Sequence, residues 1–203
     1  MEAKTAIKQL NKLAGLGGSM RLAAEDWKNE FQILISTILS ARTRDEVTIP
    51  VAEKLFEKYN SPEKLAAAKL KKIQKIIKPI NFYNTKAKNI IKCSQDLVKN
   101  FKGKVPHKIE ELLSLPGVGR KTANVFLTEL GHDNLGVDTH VFYISRKLNW
   151  AKGNHPHKVE QELKELFPKK YWRKINETLV RFGKTHTSRK QKDEILWKIK
   201  RIK

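Results

Sequence analysis

The stretch Leu115-Pro-Gly-Val-Gly-Arg-Lys-Thr-Ala-Asn124 decides the fold of this chain. Its two glycines, Gly117 and Gly119, allow a tight turn whose backbone another molecule can approach closely. The residues from Lys121 to Leu130 have the pattern of a helix, and the first N–H groups of a helix have no partner within it. An anion at such a helix start accepts those hydrogen bonds. The sequence therefore predicts a helix-hairpin-helix at about residues 109–130.

The spacing of the same residues excludes a loop that binds a nucleoside triphosphate. Such a loop needs a glycine directly before its lysine, a second glycine five residues earlier and a preceding β-strand. Here Arg120 separates Gly119 from Lys121, and none of the three conditions is met. The amides of a helix-hairpin-helix instead hold a phosphate of the DNA backbone without reading a base. An ordinary tight turn between two helices is the alternative.

Apolar residues recur at spacings of three and four along most of the chain. This period predicts helices rather than strands, so the expected fold class is all-α. The connections are short, and neither an internal repeat nor a low-complexity linker is present, so any division into domains must be interleaved. Besides the hairpin helices and the apolar run from Phe31 to Leu39, helices are predicted at about residues 49–59, 62–68, 70–77, 85–100, 141–148, 157–166, 171–183 and 192–203.

The chain is strongly basic and has one cysteine. Its 203 residues include 42 Lys and Arg against 21 Asp and Glu, a formal net charge of +21. This one-sided excess favours a nucleic acid as partner; a lysine-rich thermophilic or ribosome-like surface and an anionic membrane are the alternatives.

No apolar run approaches the roughly 18 residues of a membrane span. The first residues lack the apolar stretch of a signal peptide, so we expect a cytoplasmic protein, nucleoid-associated if the source is prokaryotic. Cys93 excludes an internal disulfide and is predicted to be buried.

The central stretch and four others together resemble one protein family. The others are Val137-Asp-Thr-His140, Ile38-Leu-Ser-Ala-Arg-Thr-Arg-Asp45, Phe82-Tyr-Asn-Thr-Lys-Ala-Lys-Asn-Ile90 and Leu179-Val-Arg-Phe-Gly-Lys184. With them the chain resembles the endonuclease III branch of the helix-hairpin-helix DNA glycosylases over about residues 20–184. The resemblance implies two interleaved helical lobes with bent duplex DNA in the cleft between them. One is a six-helix lobe over residues 22–133, and the other combines residues 1–21 and 134–203.

Lys121 stands where this family has its catalytic nucleophile. A lysine amine can attack the sugar C1′ of a damaged nucleoside, displace the base and leave an imine that promotes β-elimination of the 3′ phosphate. The amine must be unprotonated to attack, and the positive charge of Arg120 and of the helix start favours that form. Related glycosylases without a lyase step have other residues here, so the resemblance implies a bifunctional enzyme. A simple phosphate contact by Lys121 is the alternative.

Asp138 precedes an apolar helical run and has two interpretations. As an N-cap, its carboxylate would accept hydrogen bonds from the first N–H groups of the helix. By resemblance it is the catalytic carboxylate, which stabilises the oxocarbenium-like sugar and assists proton transfers. The two roles are compatible because a capping carboxylate stays ionised. The neighbouring His140 is predicted to have a structural role.

Two side chains are predicted to enter DNA when the damaged nucleotide leaves the stack. Arg42 stands where family members often have a glutamine that pairs with the orphaned base, and arginine prefers guanine edges. Phe82 stands where the family often has an apolar wedge, with core packing beside Tyr83 as the alternative. Asn81 replaces a glycine common in that loop. Asp45 is expected either to line the pocket or to lie on a helix surface.

The resemblance also makes predictions about cofactors. Backbone carbonyls of Leu113, Leu115 and Val118 are expected to hold a monovalent cation, Na⁺ or K⁺. Most family members have four cysteines that bind a four-iron cluster beyond a segment like 181–186, and this chain has none there, so we expect no iron–sulfur cluster and no other cofactor. The histidines lack metal-ligand spacing with one another or with Cys93. The basic segment after residue 187 is predicted to be either a terminal helix packed on the body or a frayed tail.

The resulting prediction is a DNA glycosylase with abasic-site lyase activity in base excision repair. The substrates implied by the resemblance are oxidised pyrimidines and abasic sites in double-stranded DNA, and we expect a monomer. The segment 31–43 contains no Glu, where adenine glycosylases of the superfamily have a catalytic one, so adenine removal is disfavoured. A mismatch glycosylase that removes uracil or thymine and a non-catalytic, structure-specific DNA-binding protein are the alternatives.

Overall fold

The computed structural model describes residues 1–202 and is built from α-helices. No strand occurs among these residues, which confirms the all-α prediction. A short 3₁₀ turn, Lys169–Tyr171, precedes the eleventh helix. The helices are α1 (Ala3–Ala14), α2 (Glu30–Ser40), α3 (Asp45–Phe56), α4 (Pro62–Ala66), α5 (Leu70–Ile76), α6 (Tyr83–Phe101), α7 (Ile109–Ser114), α8 (Arg120–Glu129), α9 (Thr139–Lys147), α10 (Pro156–Leu166), α11 (Trp172–Thr185) and α12 (Arg189–Lys200).

Two helices differ from the sequence predictions. Helix α1 was not predicted, although it buries Ala6, Leu10 and Leu13 at spacings of four and three residues. Helix α3 begins at Asp45 rather than near residue 49, because Pro50 lies inside the helix instead of starting it. Pro50 is the sixth residue of α3 and cannot donate the hydrogen bond that an N–H there would make, whereas two acidic residues in the first turn interact favourably with the helix dipole.

The chain divides into two compact units. The central unit consists of residues 21–130, and the terminal unit combines residues 1–20 and 131–203. Seven helices, α2–α8, fall within the described central unit, one more than the six expected for a lobe over residues 22–133. The segment 62–76 contributes two of the seven, in agreement with the separate helices predicted at 62–68 and 70–77, because the backbone leaves helical geometry between Ala66 and Leu70.

Helix α2 forms the core of the central unit. Every residue from Phe31 to Leu39 is buried, and α2 packs against α3, α6 and α8. Its buried hydroxyls are satisfied locally, because Ser36 and Thr37 both donate hydrogen bonds to the Ile33 carbonyl. At its start, the Asn29 side chain accepts a hydrogen bond from the Gln32 N–H. This helix therefore fixes the position of the loop that follows Ser40.

The terminal unit joins the two ends of the chain. Helix α1 packs against α11 and α12, and α9 packs against α10, α11 and α12. Buried Gln9 connects these parts, since its side chain accepts a hydrogen bond from the Trp150 indole at 2.6 Å and donates one to the Ile202 carbonyl at 3.2 Å. The N-terminal helix thus contributes to the same core as the last helix.

The basic segment after residue 187 forms helix α12, in agreement with the terminal-helix alternative. The Ser188 side chain caps its start, and Leu196 and Ile199 are buried. Asp193 accepts a hydrogen bond from the Tyr143 hydroxyl and forms an ion pair with Lys147, both on α9. Lys203, the last residue of the predicted helix at 192–203, lies outside the described residues.

Across the described part of the chain, no helix has the length and apolar character needed to cross a bilayer.

Candidate active site

The predicted helix-hairpin-helix is formed by α7, the turn 115–119 and α8. Leu115 and Val118 are buried and anchor the turn to the central core, and the Val118 N–H donates a hydrogen bond to the Leu115 carbonyl at 3.1 Å. Gly119 caps the start of α8, where its carbonyl accepts the Ala123 N–H at 2.9 Å. The apolar turn residues thus face inward, and the two exposed glycines face solvent.

The two glycines are required for different physical reasons. Gly117 has φ +84°, and a Cβ there would lie 3.0 Å from the Asn89 Cβ and 3.4 Å from Ile38 Cγ2. Both its conformation and its close packing therefore favour glycine. Gly119 has an ordinary extended backbone, and a Cβ there would meet no atom within 4 Å. Nothing within the described fold requires glycine at position 119, so the open space beside it is available to a ligand.

Lys121 is exposed in the first turn of α8. Thr122, Ala123 and Asn124, which follow it, are buried and fix the helix against the core. Arg120, directly before it, is also exposed. The hairpin therefore presents a primary amine and a guanidinium beside the N–H groups of a helix start, an arrangement that attracts a phosphate.

Arg42 and Phe82 lie together on the surface of the central unit. Phe82 is 58% exposed, which rules out the core-packing alternative. The Arg42 guanidinium lies over the Phe82 ring at 4.9 Å from its centroid. Both residues have left-handed backbones, with φ +57° and +60°. Non-glycine residues adopt this conformation rarely, and it is concentrated at functional sites.

Two residues that sequence reasoning did not assign hold these loops. The Asn81 side-chain amide donates a hydrogen bond to the Arg42 carbonyl at 2.6 Å, and its backbone N–H donates one to Thr43 Oγ1 at 3.2 Å. Lys86 is only 7% exposed, and its ammonium donates to the carbonyls of Leu39 at 2.7 Å and Ala41 at 2.5 Å. The only sequence signal for Lys86 was its position four residues after Phe82, one helical turn along α6.

Burial lowers the pKa of Lys86 to about 8. A lysine with this pKa is still mostly protonated at neutral pH and has three N–H donors. Three oxygens receive them, because Thr43 Oγ1 lies 3.2 Å from the same nitrogen. The carbonyls at the end of α2 also carry the negative end of that helix's dipole, which suits a cation.

Asp45 is 9% exposed in the first turn of α3. Because Asp45 is buried, it does not lie on a solvent-exposed helix surface, which was one of its two predicted positions. A negative charge in the first turn stabilises the helix. A direct role of Asp45 in the DNA-binding site stays a prediction.

Asp138 is the N-cap of α9, as one of its two interpretations requires. Its Oδ1 accepts a hydrogen bond from the Val141 N–H at 2.8 Å. The segment before it is anchored, because Val137 is buried and the Asn176 side chain of α11 donates a hydrogen bond to the Gly136 carbonyl at 2.6 Å. Asn176 was not predicted; a buried asparagine can be recognised only from the fold. The carboxylate is thus fixed from both sides and stays partly exposed.

His140 packs directly against α11. A Cβ on Gly183 would lie 2.2 Å from His140 Nδ1 and 2.6 Å from its Cγ, so only glycine permits this approach. This packing agrees with the predicted structural role of His140. It also sets the separation between α9 and α11, and therefore the position of Asp138.

The side chains and carbonyls near the hairpin limit which cations could bind. The described residues contain no group of three or more His, Cys, Asp or Glu side chains that could hold a metal ion. Leu113 lies at the end of α7, and Leu115 and Val118 lie in the hairpin turn, where the predicted ligands are backbone carbonyls. Carbonyl oxygens fit a hard cation, and the Leu115 carbonyl has a second lone pair beyond its bond to Val118. The cation at the hairpin stays a prediction.

Cys93 is fully buried in α6, as predicted. Burial raises the pKa of its thiol to about 12, and the negative charge of Asp96 adds to this effect.

An all-α fold with a helix-hairpin-helix, an exposed lysine at its second helix and a capping aspartate defines a class of DNA-binding proteins. Residues 35–169 match the HhH-GPD superfamily of base excision DNA repair proteins, and the chain belongs to that superfamily.

Individual relatives extend this result. Over 155 residues the chain is 47% identical to endonuclease III of Thermotoga maritima, covering 76% of this chain and 73% of the relative. It is 43% identical to endonuclease III of Rickettsia prowazekii over 160 residues, covering 78% and 75%. The solved structure of a trapped endonuclease III–DNA covalent intermediate superposes with a TM-score of 0.85 at 32% identity, covering 93% of this chain and 89% of that one.

Proposed function

We infer that this chain is an endonuclease III-type DNA glycosylase with abasic-site lyase activity that removes oxidised pyrimidines during base excision repair. The observation that supports this most is the exposed Lys121 in the first turn of α8, next to the open space at Gly119. It occurs in a chain 47% identical to an endonuclease III, and a solved relative was trapped on DNA as a covalent intermediate.

The reaction begins at the sugar of the damaged nucleotide. Lys121 Nζ forms a bond to C1′, the bond between C1′ and the base breaks, and the base leaves with a proton. Opening of the sugar ring gives a protonated imine between Nζ and C1′. Loss of a proton from C2′ then allows the C3′–O bond to break, so the 3′ phosphate leaves with its electron pair. Water finally hydrolyses the imine and regenerates the lysine.

Asp138 supplies the negative charge that these reaction steps need. Its carboxylate stabilises the positive charge that develops on the sugar and accepts or returns protons during displacement and elimination. Its hydrogen bond from the Val141 N–H fixes the orientation of the group.

DNA binding uses two groups of residues. Gly117, Gly119 and Arg120 at the hairpin hold a backbone phosphate, and Arg42 and Phe82 fill the gap left by the extruded nucleotide. A Na⁺ or K⁺ ion bound by the carbonyls of Leu113, Leu115 and Val118 would steady the turn. We propose that the enzyme acts as a monomer on damaged double-stranded DNA in the cytoplasm, without an iron–sulfur cluster.

Borohydride trapping on a duplex with an abasic site tests this proposal. Hydride reduces the imine to a stable secondary amine, so the wild-type protein should become covalently linked to DNA. Lys121→Gln should form no adduct. Lys58→Gln removes the same charge from another exposed position of the central unit and should trap normally. Absence of an adduct with the wild type would contradict the lyase activity and favour a non-catalytic DNA-binding protein.

A panel of lesions separates the substrates. Thymine glycol and dihydrouracil should be excised faster than uracil or thymine opposite guanine. The reverse order would favour the mismatch glycosylase instead.

A further inference from the structure

The loops that carry Arg42 and Phe82 are held together by residues that are not predicted to contact DNA. Arg42 follows α2, and Phe82 precedes α6, so the two side chains come from loops 40 residues apart in sequence. Their stacking at 4.9 Å brings the two loops into contact. Both backbones are left-handed, a conformation that persists only where surrounding contacts impose it.

Asn81 supplies the direct connection between the loops. Its side-chain amide donates to the carbonyl of Arg42, the residue whose side chain stacks on Phe82. Its backbone N–H donates to the hydroxyl of Thr43, on the other side of Arg42. A glycine at position 81 would retain only the second hydrogen bond.

Lys86 supplies the second connection, from inside. It lies one turn after Phe82 on α6 and donates to the carbonyls of Leu39 and Ala41 and to the Thr43 hydroxyl. These three oxygens flank Arg42 along the chain. A buried ammonium with three partners fixes the backbone more firmly than an exposed one, because releasing it would leave a desolvated charge unpaired.

We propose that Asn81 and Lys86 are positioning residues that hold Arg42 and Phe82 as a single preformed wedge before DNA binds. This inference rests on the proposed function, in which the wedge fills the gap left by the extruded nucleotide. Preorganisation removes the entropic cost of ordering two loops during insertion. The residue that departs from the family's glycine therefore strengthens the wedge rather than disrupting it.

The test uses binding without chemistry. A duplex with a tetrahydrofuran abasic analogue has 2-aminopurine opposite the analogue, and unstacking of that base by the wedge raises its fluorescence. Asn81→Ala should weaken binding to this duplex by about threefold to tenfold and reduce the fluorescence change, while its affinity for undamaged duplex stays the same. Asn100→Ala, at an exposed position near the other end of α6, is the matched control and should behave like the wild type.

A mutant cycle shows whether Asn81 acts through the wedge. In an Arg42→Ala, Phe82→Ala background, Asn81→Ala should have no further effect on lesion binding, because both wedge side chains are already lost. Additive effects, or wild-type fluorescence in Asn81→Ala alone, overturn the proposal. Asn81 is exposed, so its variants should fold, whereas Lys86→Met is informative only alongside its unfolding curve.

The binding and fluorescence measurements do not depend on catalysis. If borohydride trapping fails but the fluorescence change persists and depends on Asn81, the proposed enzyme activity is wrong and the wedge is retained. If trapping succeeds and the Asn81 variants match the wild type, the wedge proposal is wrong and the enzyme activity stands.

Discussion

Asp138 illustrates at the residue scale how one side chain serves the fold and the reaction. Its Oδ1 caps α9 through the Val141 N–H, and this bond leaves Oδ2 for another partner. Capping depends on an oxygen acceptor, whereas stabilising a positively charged sugar depends on a negative charge. The two roles can therefore be separated by substitution.

Asp138→Asn should leave folding nearly unchanged and lower excision. Asparagine caps helices as well as aspartate does, so the free energy of unfolding should change by less than about 0.5 kcal/mol. Loss of the charge should slow single-turnover excision by about 100-fold or more. Asp138→Ala should be slow as well and should also lose about 1 kcal/mol of stability in urea unfolding. Full activity of Asp138→Asn would restrict the residue to capping.

The hairpin glycines give a second comparison at this scale. Gly119→Ala should keep the stability of the wild type within about 0.5 kcal/mol, because its Cβ would enter open space. It should weaken duplex binding by about tenfold, since the methyl group would keep a phosphate away from the turn. Gly117→Ala should instead cost about 1–2 kcal/mol of stability, because of its positive φ. Unchanged DNA affinity in Gly119→Ala would contradict the phosphate approach.

At the scale of elements, the contact between α9 and α11 determines where Asp138 lies. His140 of α9 occupies the space that a side chain at position 183 of α11 would fill. Asn176, two turns earlier on α11, fixes the Gly136 carbonyl just before α9. Helix α11 thus positions both the start of α9 and the irregular segment that leads to it.

Gly183→Ala should push α9 and α11 apart. The methyl group would overlap the imidazole of His140, and overpacking of this kind costs about 1–3 kcal/mol of stability. Gly15→Ala is the control, because its Cβ would lie 3.7 Å from the nearest atom, the Lys12 carbonyl. Thermal unfolding of both variants measures the difference. Equal unfolding temperatures for Gly183→Ala and the wild type would show that α9 and α11 accommodate the methyl group freely.

At the scale of the whole molecule, the dominant property is a net charge of +21. A protein of this charge binds any nucleic acid through its phosphates and releases the counterions that surround them. Specific binding of a lesion therefore adds to strong non-specific binding of DNA. Salt weakens the non-specific contribution most.

Duplex affinity should fall steeply with salt. If about 6–10 phosphates are contacted, the association constant should drop by about 10³- to 10⁵-fold between 50 and 200 mM salt. The ratio of lesion to undamaged affinity should change much less, because both duplexes present nearly the same phosphates to the protein. Fluorescence anisotropy with both duplexes measures the two slopes. A salt-independent affinity would contradict binding through phosphates.

Local patterns allowed most of the fold and the hairpin to be predicted. The glycines and Lys121 stand within five residues of one another, and the period of apolar residues identifies helices without knowledge of their neighbours. Asp138 was found because a cap lies directly before its helix. In contrast, α1 was missed because half of its short sequence is polar, although its buried residues follow the helical period.

The residues that support the site could not be predicted in the same way. Lys86 looks like any surface lysine in a basic chain, and only the packing of α6 on α2 makes it a buried cation. The role of Asn81 could not be read from its loop, because the partner of its side chain is a carbonyl 39 positions away in sequence. Contacts of this range depend on tertiary structure, which no local pattern encodes.

Cys93 has a consequence for the chemical robustness of the protein. Oxidants and alkylating reagents attack the thiolate, and a fully buried thiol with a pKa of about 12 forms almost none. It is the only cysteine in the sequence, so modification by a thiol reagent must wait for α6 to open. The rate of labelling therefore reports the opening of the central unit without any engineered probe. The same shielding keeps the thiol intact under the oxidative stress that damages pyrimidines in DNA.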